Sequence, residues 1–194
     1  MIETNEQLYG QLALTNILAS VWLGDWDRYE EIFAQLTEEM KEHFQFHSHY
    51  EREDVTLWHE NYFNIPGDYF VSPYYSSYTI KKDGGEEGKR NLLCLIGMYE
   101  RLGFYFPLQQ DLYPDHIGCL TTFLAAVLQE KIKAAELEDR ELFDQLTSLE
   151  REIVKKYIIP VSVGMKHLGS TRMQNPFFEQ FLPFYVDVMK ELSI

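Results

Sequence analysis

The stretch from residue 58 to residue 78 reads WHENYFNIPGDYFVSPYYSSY, and its composition differs from that of the rest of the chain. From Tyr62 to Tyr78, here called the ribbon, it holds seven aromatic residues and a single charged residue, Asp68, in a chain that is 25% charged and 15% aromatic. Pro66 and Pro73 lack a backbone N–H and push the preceding residue towards an extended conformation. We therefore predict an irregular segment rather than a helix. Its aromatic side chains either fill the core or line a groove for a peptide, and composition leaves both alternatives open.

Outside the ribbon, apolar residues recur three and four positions apart, which is the spacing of one helix face. Residues that cap or interrupt helices mark the boundaries between these segments. In chain order they are Thr4 with Gln7, Gly24, Asp25, Gly103, Asp139, and Asn175 with Pro176. The sequence therefore predicts an all-α fold, a single-domain helical bundle of about seven or more helices that covers residues 1–194.

The apolar spacing also predicts the extents and core residues of the second to fifth helices. The second helix is expected to continue to Met40, and the third to begin near Arg52 and lead into the ribbon. The fourth should use Leu93 and Ile96 among its core residues, and the fifth should have Pro114 at its first position.

The apolar run IIPVSVG at residues 158–164 has the composition of a strand. A single short strand without a partner cannot form a sheet, so we predict a buried passage between two helices. In the last helix, Pro183 is expected to produce a kink.

Charge and cysteine content narrow the function classes. The formal net charge of −14 and the lack of a Lys/Arg cluster argue against nucleic acid binding and favour cationic partners. Cys94 and Cys119 lie in apolar segments without a CxxC spacing, and we predict two buried thiols in a reducing compartment. The N-terminus lacks the features of a secretory signal, and polar residues interrupt the uncharged stretch at residues 7–24. We therefore expect a cytoplasmic protein without stable membrane insertion.

Two histidines have a spacing that is compatible with metal binding. His43 and His47 are four residues apart, a spacing that would place both on one helix face with Glu39 one turn earlier. Phe44 and Phe46 lie between them, and a polar helix end is the favoured alternative. No Glu-x-x-His pair, GxSxG motif or phosphate-binding glycine loop is present in the sequence. We expect no catalytic residue, no metal and no cofactor.

Asp115 and His116 allow two interpretations. Directly after Pro114, the Asp115 carboxylate could cap the first turn of a helix. Alternatively, Asp115 and His116 face the aromatic ribbon as a recognition pair, with Gly118 allowing a ligand or another backbone to approach closely.

Taken together, several motifs resemble an ordered signature. They are Tyr62-Phe63-x-x-Pro66, Ser72-Pro73-Tyr74-x-Ser76-x-Tyr78, Tyr99-x-x-x-Gly103 and Pro114-Asp115-His116-Ile117-Gly118. This pattern is similar to that of the TorD/DmsD family of redox-enzyme maturation chaperones, which are related to the nitrate reductase delta assembly proteins. The resemblance is dense from about residue 58 to residue 130. It departs from the family pattern at Tyr75 and Leu120, where many members carry acids, and after His167-Leu168.

The resemblance implies an all-helical cytoplasmic chaperone without catalytic activity. Its partners would be the twin-arginine leader and the apo form of a molybdenum-cofactor reductase, whose export it delays until the cofactor is loaded. The expected peptide-binding residues are Trp58, Tyr62, Phe63, Pro66, Pro73, Tyr74, Ser76, Tyr78, Pro114, Asp115, His116 and Gly118.

A leader with two arginines and an apolar run requires guanidinium acceptors beside an aromatic trough. Asp115 is expected to be the main acceptor, with Asp68, Asp111 or Glu60 as companions. Trp58, Tyr62, Phe63, Tyr74 and Tyr78 are expected to form the wall. Two alternatives are a delta-type assembly factor for a non-exported molybdoenzyme and, further off, a small helical enzyme that uses Asp115 and His116 as acid and base. The protein is expected to be a monomer or a homodimer.

Overall fold

The structure, a computed structural model, describes residues 4–80, 85–105 and 112–193. Its helices are α1 (Asn5–Leu23), α2 (Trp26–Ala34), α3 (Glu38–Glu42), α4 (Arg52–His59), α5 (Ser76–Thr79), α6 (Glu86–Arg101), α7 (Ile117–Glu136), α8 (Arg140–Ile153), α9 (Ile159–Arg172) and α10 (Pro176–Leu192). A 3-10 turn covers Gln45–His49, and π turns cover Glu60–Asn64 and Val154–Ile158. No β-strand occurs in the described ranges, so the all-α prediction is confirmed.

Helices α1 and α7 form the centre of the molecule and run antiparallel. Leu23, at the end of α1, lies against Gly118 at the start of α7. At the opposite ends, the Tyr9 hydroxyl donates a hydrogen bond to Glu136 at 2.7 Å. α8 then turns back along α7, and the Lys131 ammonium pairs with the Glu150 carboxylate at 2.7 Å inside the protein.

The helix caps lie where the sequence placed them. Thr4 and Gln7 form a reciprocal capping box at α1, and Gly24 ends that helix in the left-handed conformation. The side chains of Asp25 and Asp139 accept hydrogen bonds from backbone N–H groups at the starts of α2 and α8. Asn175 does the same for α10. These caps confirm the sequence-based boundaries. At the helix starts, the capping side chains accept from otherwise unpaired N–H groups, whereas at the end of α1 the Gly24 N–H donates to the carbonyls of Ser20 and Val21.

Helices α2 and α6 differ from the prediction. α2 ends at Ala34, and Met40 lies in the separate helix α3 with 45% of its surface exposed. α6 turns Leu93 and Ile96 outward, 71% and 39% exposed. Cys94, on the same helix, is exposed rather than buried, whereas Cys119 is buried as predicted. The apolar residues of α6 occupy both sides of the helix, so its periodicity did not identify the core face.

The segment at residues 158–164 is helical from end to end. The π turn joins α8 to α9 directly, so the predicted passage is part of one helical run from Arg140 to Arg172. Tyr157, in the π turn, is fully buried and donates to the carbonyl of Asn91 at 2.9 Å. α10 likewise continues through Pro183 without a break.

Candidate peptide-binding site

The ribbon and the turn at Pro114 are joined by backbone hydrogen bonds. The Tyr75 N–H donates to the Asp115 carbonyl at 3.0 Å, and the Ile117 N–H donates to the Pro73 carbonyl at 2.8 Å. Together they form an isolated antiparallel bridge between Tyr74 and His116. The two motifs singled out in the sequence, whose bonded residues are 40 and 44 positions apart, therefore lie side by side in space.

Asp115 anchors the ribbon rather than the helix that follows it. α7 begins at Ile117, so Pro114 and Asp115 lie in a turn outside the helix, and the predicted position of Pro114 was wrong. The Asp115 Oδ2 atom accepts a hydrogen bond from the Ser76 N–H at 2.9 Å, at the start of α5. Asp115 is 5% exposed. Its carboxylate thus caps the short helix of the ribbon, and the expected cap of α7 is not observed.

His116 is the residue that caps α7. Its Nδ1 atom accepts a hydrogen bond from the Gly118 N–H at 3.0 Å, which places the ring proton on Nε2. Burial, with a smaller electrostatic contribution from His59, lowers the pKa of His116 from 6.5 to about 3. The imidazole is therefore neutral near pH 7 and acts as a hydrogen-bond acceptor.

Gly118 is required by close packing. A Cβ atom at this position would lie 2.6 Å from Leu23 Cδ2 and 3.0 Å from His116 Nδ1. The absence of a side chain therefore allows α1, α7 and the His116 ring to meet, a role inside the fold rather than at its surface.

The ribbon aromatics divide into buried and accessible groups. Tyr62 and Phe63, expected in the groove wall, are 0% and 3% exposed and belong to the core. The Tyr62 hydroxyl accepts hydrogen bonds from the backbone N–H groups of Gln174 and Asn175, at 2.8 and 3.0 Å. The prediction that they line the wall of a surface groove was therefore wrong, because both rings are buried beneath the ribbon.

The side chain of Tyr78, the last residue of the ribbon, packs against α9. Its hydroxyl donates to the Ser72 carbonyl at 2.7 Å, and burial raises its pKa to about 12. Gly164 makes room for this ring, since a Cβ atom there would lie 2.3 Å from Tyr78 Cδ1. Tyr78 is half-buried, so one part of it supports the ribbon and the rest reaches the surface.

Accessible aromatic surface remains in two places. Beside the Asp115–His116 turn, Tyr74 packs against His116 with ring centroids 5.2 Å apart, and against Tyr113, which is 71% exposed. At the other end of the ribbon, half-buried Trp58 stacks on Tyr62, with centroids 5.1 Å apart, and meets the edge of the exposed Tyr69. No ring contact among the described residues joins these two surfaces.

The acids predicted to accompany Asp115 do not share its burial. Glu60 and Asp68 are exposed, as is Pro66. Asp111 lies outside the described residues. Tyr113 was missed as a site residue, although the aromatic character of residues 104–113 was a signal for it.

The two positions at which the resemblance leads us to expect acids are both in the core. Tyr75 is 3% exposed and packs against Tyr157 with ring centroids 5.3 Å apart. Leu120 is fully buried. Aromatic and apolar packing therefore occupies these two positions.

His43, His47 and the neighbouring His49 have separate surroundings. His43 ends α3, whereas His47 lies in the 3-10 turn, so they do not share the predicted helix. His47 Nδ1 is hydrogen-bonded to the Tyr29 hydroxyl at 2.8 Å, and His49 Nε2 contacts Gln180 at 2.9 Å. Over the described ranges, no group of three or more His, Cys, Asp or Glu side chains is arranged to hold a metal ion.

The helices in the described part of the chain include none that is both long and apolar enough to cross a bilayer. Searches of curated proteins and of solved structures gave no match. The family model of the nitrate reductase delta subunit matches residues 27–161, more than half of the chain and all of the ribbon and the Pro114 turn. The chain therefore belongs to the nitrate reductase delta subunit family of molybdoenzyme assembly chaperones, in agreement with its resemblance to the TorD/DmsD chaperones.

Proposed function

We propose that this protein is a cytoplasmic chaperone that binds the twin-arginine leader of a molybdenum-cofactor oxidoreductase at the ribbon. The observation that carries the proposal is the bridge between Tyr74 and His116, which places an acid and accessible tyrosines at one site. By holding the leader of the apoenzyme, it delays export until the cofactor is loaded. It acts through binding and without catalysis.

The chemistry of a twin-arginine leader matches this surface. The Ser76 N–H donates a hydrogen bond to Oδ2 of Asp115, and no hydrogen bond from the described residues reaches Oδ1. A leader guanidinium can donate to this oxygen, and Tyr74 and Tyr113 offer ring faces for cation–π contact and for the apolar residues that follow. The net charge of −14 attracts a cationic peptide over a longer range.

The other expected site residues have supporting roles in this proposal. Pro73, Ser76 and Gly118 fix the backbone on which Tyr74 and Asp115 are presented, whereas Tyr62, Phe63 and Tyr78 hold the ribbon from below. Trp58 and Pro66 form the second accessible surface, where the apolar part of a longer leader would lie.

Titration of a fluorescent twin-arginine leader into wild-type protein and Asp115→Asn tests the role of Asp115. The amide oxygen of Asn can still accept from the Ser76 N–H, so the fold is retained while the charge is lost. We expect binding to weaken by about 2 to 5 kcal/mol, at least ~30-fold, because a partly desolvated guanidinium loses its charged partner. The salt dependence of binding should also become flatter.

Asp139→Asn is the matched control. Asp139 also accepts a backbone hydrogen bond at 3.0 Å, from Leu142, but it follows the far end of α7. It should bind the leader with wild-type affinity. Equal affinities for Asp115→Asn and the wild type across a salt series, with both proteins folded, would show that Asp115 does not bind the leader.

The family match favours one alternative, a delta-type assembly factor that recognises the terminus of a molybdoenzyme that is not exported. A leader in which both arginines are changed to lysine separates the two proposals. Lysine keeps the charge but lacks the planar donor fork, so a twin-arginine receptor should lose most of its affinity. A receptor for an apolar terminus would bind both peptides alike.

The enzyme alternative is not supported by the state of His116. With its pKa lowered to about 3 and its Nδ1 atom bonded to the Gly118 N–H, this imidazole is poorly placed to exchange protons near pH 7. Asp115 and His116 are therefore proposed as recognition and positioning residues.

A further inference from the structure

Helix α6 presents an ordered stripe of side chains to solvent. Leu95, Met98 and Tyr99 bury the inner face of this helix. On the outer face lie Glu86, Lys89, Leu93, Ile96 and Glu100, all of them exposed. Their spacing of three, four, three and four residues is that of a helix-pairing seam. The stripe is apolar at its centre and charged at both ends.

The charges of this stripe are arranged with an inverse symmetry. Lys89 lies four residues before Leu93, and Glu100 lies four residues after Ile96. In an antiparallel pair of identical helices, these distances place Leu93 against Ile96 and Lys89 against Glu100. A parallel pair would instead place Lys89 against Lys89 and Glu100 against Glu100, an arrangement of like charges that is destabilising.

We propose that this protein forms a two-fold symmetric homodimer in which α6 packs antiparallel against α6 of a second copy. A two-fold interface uses the same patch on both subunits and must be complementary to itself, and this stripe satisfies that condition in both its apolar and its charged positions. Lys89 and Glu86 are 3.8 Å apart within one copy and 60% and 84% exposed, so this local pair leaves Lys89 accessible to a partner.

The dimer is expected to be weak. A single pair of helices of 16 residues buries an area at the low end of specific interfaces. We therefore expect a rapid, concentration-dependent equilibrium with a dissociation constant on the order of 10 to 100 µM.

Sedimentation velocity over a range of protein concentrations tests the proposal with a charge exchange. Lys89→Glu and Glu100→Lys should each weaken the dimer at least ~10-fold. In either variant, positions 89 and 100 carry the same charge, and the two-fold symmetry brings them together twice in the dimer. The double variant with both changes restores opposite charges and should recover most of the wild-type association. Lys133→Glu is the control, since Lys133 is similarly exposed and pairs with Glu130 three residues away on α7.

Cross-linking of the wild-type protein provides a second test that needs no folding control. Cys94 is exposed beside Leu93, whereas Cys119 is buried. In the proposed register, the two Cys94 residues are about 1.5 Å apart along the helix axis, so a bismaleimide of about 15 Å should link them. Cys94→Ser should abolish the product.

A monomer at all concentrations, a dimer that persists in both single charge variants, or a double variant without recovery would overturn the proposal. So would the absence of a Cys94-dependent cross-link at concentrations where wild-type dimer is present.

Discussion

Replacement of His116 by Asn should change how the stability of the protein depends on pH. In the folded protein, burial holds the pKa of His116 at about 3, whereas in the unfolded chain it returns to its ordinary value of 6.5. Between these values the unfolded chain binds a proton that the folded protein does not. The free energy of unfolding therefore falls as pH decreases from 6.5 towards 3.

The magnitude follows from the two pKa values. Between about pH 7 and about pH 5, the proton taken up by the unfolded chain lowers the free energy of unfolding by about 2 kcal/mol. This pH range lies above the region where most carboxylates titrate. His59 interacts electrostatically with His116 and is also buried with a lowered pKa, so more than one group contributes to the wild-type slope.

Asn is the informative substitution because its side-chain oxygen can replace Nδ1 as the acceptor for the Gly118 N–H. The smaller side chain leaves a cavity and lowers absolute stability, so the comparison is between slopes. Urea unfolding at a series of pH values should give a slope smaller by up to about 1.4 kcal/mol per pH unit in His116→Asn. His167→Asn, at an exposed position of α9, should keep the wild-type slope.

Equal slopes for His116→Asn and the wild type would refute the assignment of His116 as a buried neutral cap. The neighbouring Asp115 and Tyr74 cannot imitate the effect. Tyr74 has a pKa raised above its ordinary value of 10, so it does not titrate in this range, and Asp115 is retained in both proteins.

Gly164→Ala should destabilise the protein by about 1 to 3 kcal/mol, because the new methyl group meets the Tyr78 ring. Gly10→Ala is the control, since nothing lies within 4 Å of the added Cβ, and it should be neutral or stabilising. Thermal unfolding of both variants tests this difference. Lys131→Met should cost about 3 to 5 kcal/mol in urea unfolding by breaking the buried pair with Glu150, and Lys131→Met/Glu150→Leu should recover much of that loss. A double variant no more stable than the single one would contradict this. Purified protein should contain no stoichiometric transition metal, and one zinc or iron per chain by elemental analysis would contradict that prediction.

Local signals in the sequence were sufficient for most of the fold. Capping side chains determine helix ends through hydrogen bonds to residues two or three positions away, so Asp25, Asp139 and Asn175 could be assigned without tertiary information. The inner and outer faces of α6 could not be separated in this way. Leu93 and Leu95 are equally apolar, and their exposures of 71% and 0% are decided by what packs against the helix.

The candidate site was identified from the sequence, but its internal arrangement was not. The partner of the Asp115 carboxylate is the N–H of Ser76, 39 residues earlier, and no local pattern indicates such a contact. Composition also could not show that Tyr62 lies in the core while Tyr74 is accessible, since both are tyrosines of the same ribbon. That difference depends on where α10 and its preceding turn cover the ribbon.

Photo-cross-linking can locate the bound leader on the surface of the protein. A twin-arginine leader carrying benzoylphenylalanine next to its arginine pair is bound, irradiated and digested, and the linked peptides are identified by mass spectrometry. Leader binding at the proposed site predicts cross-links to the segments around Tyr74 and Tyr113, which disappear in the presence of excess unlabelled leader. Competed cross-links confined to other parts of the protein, such as the surface formed by α2 and α3, would contradict it.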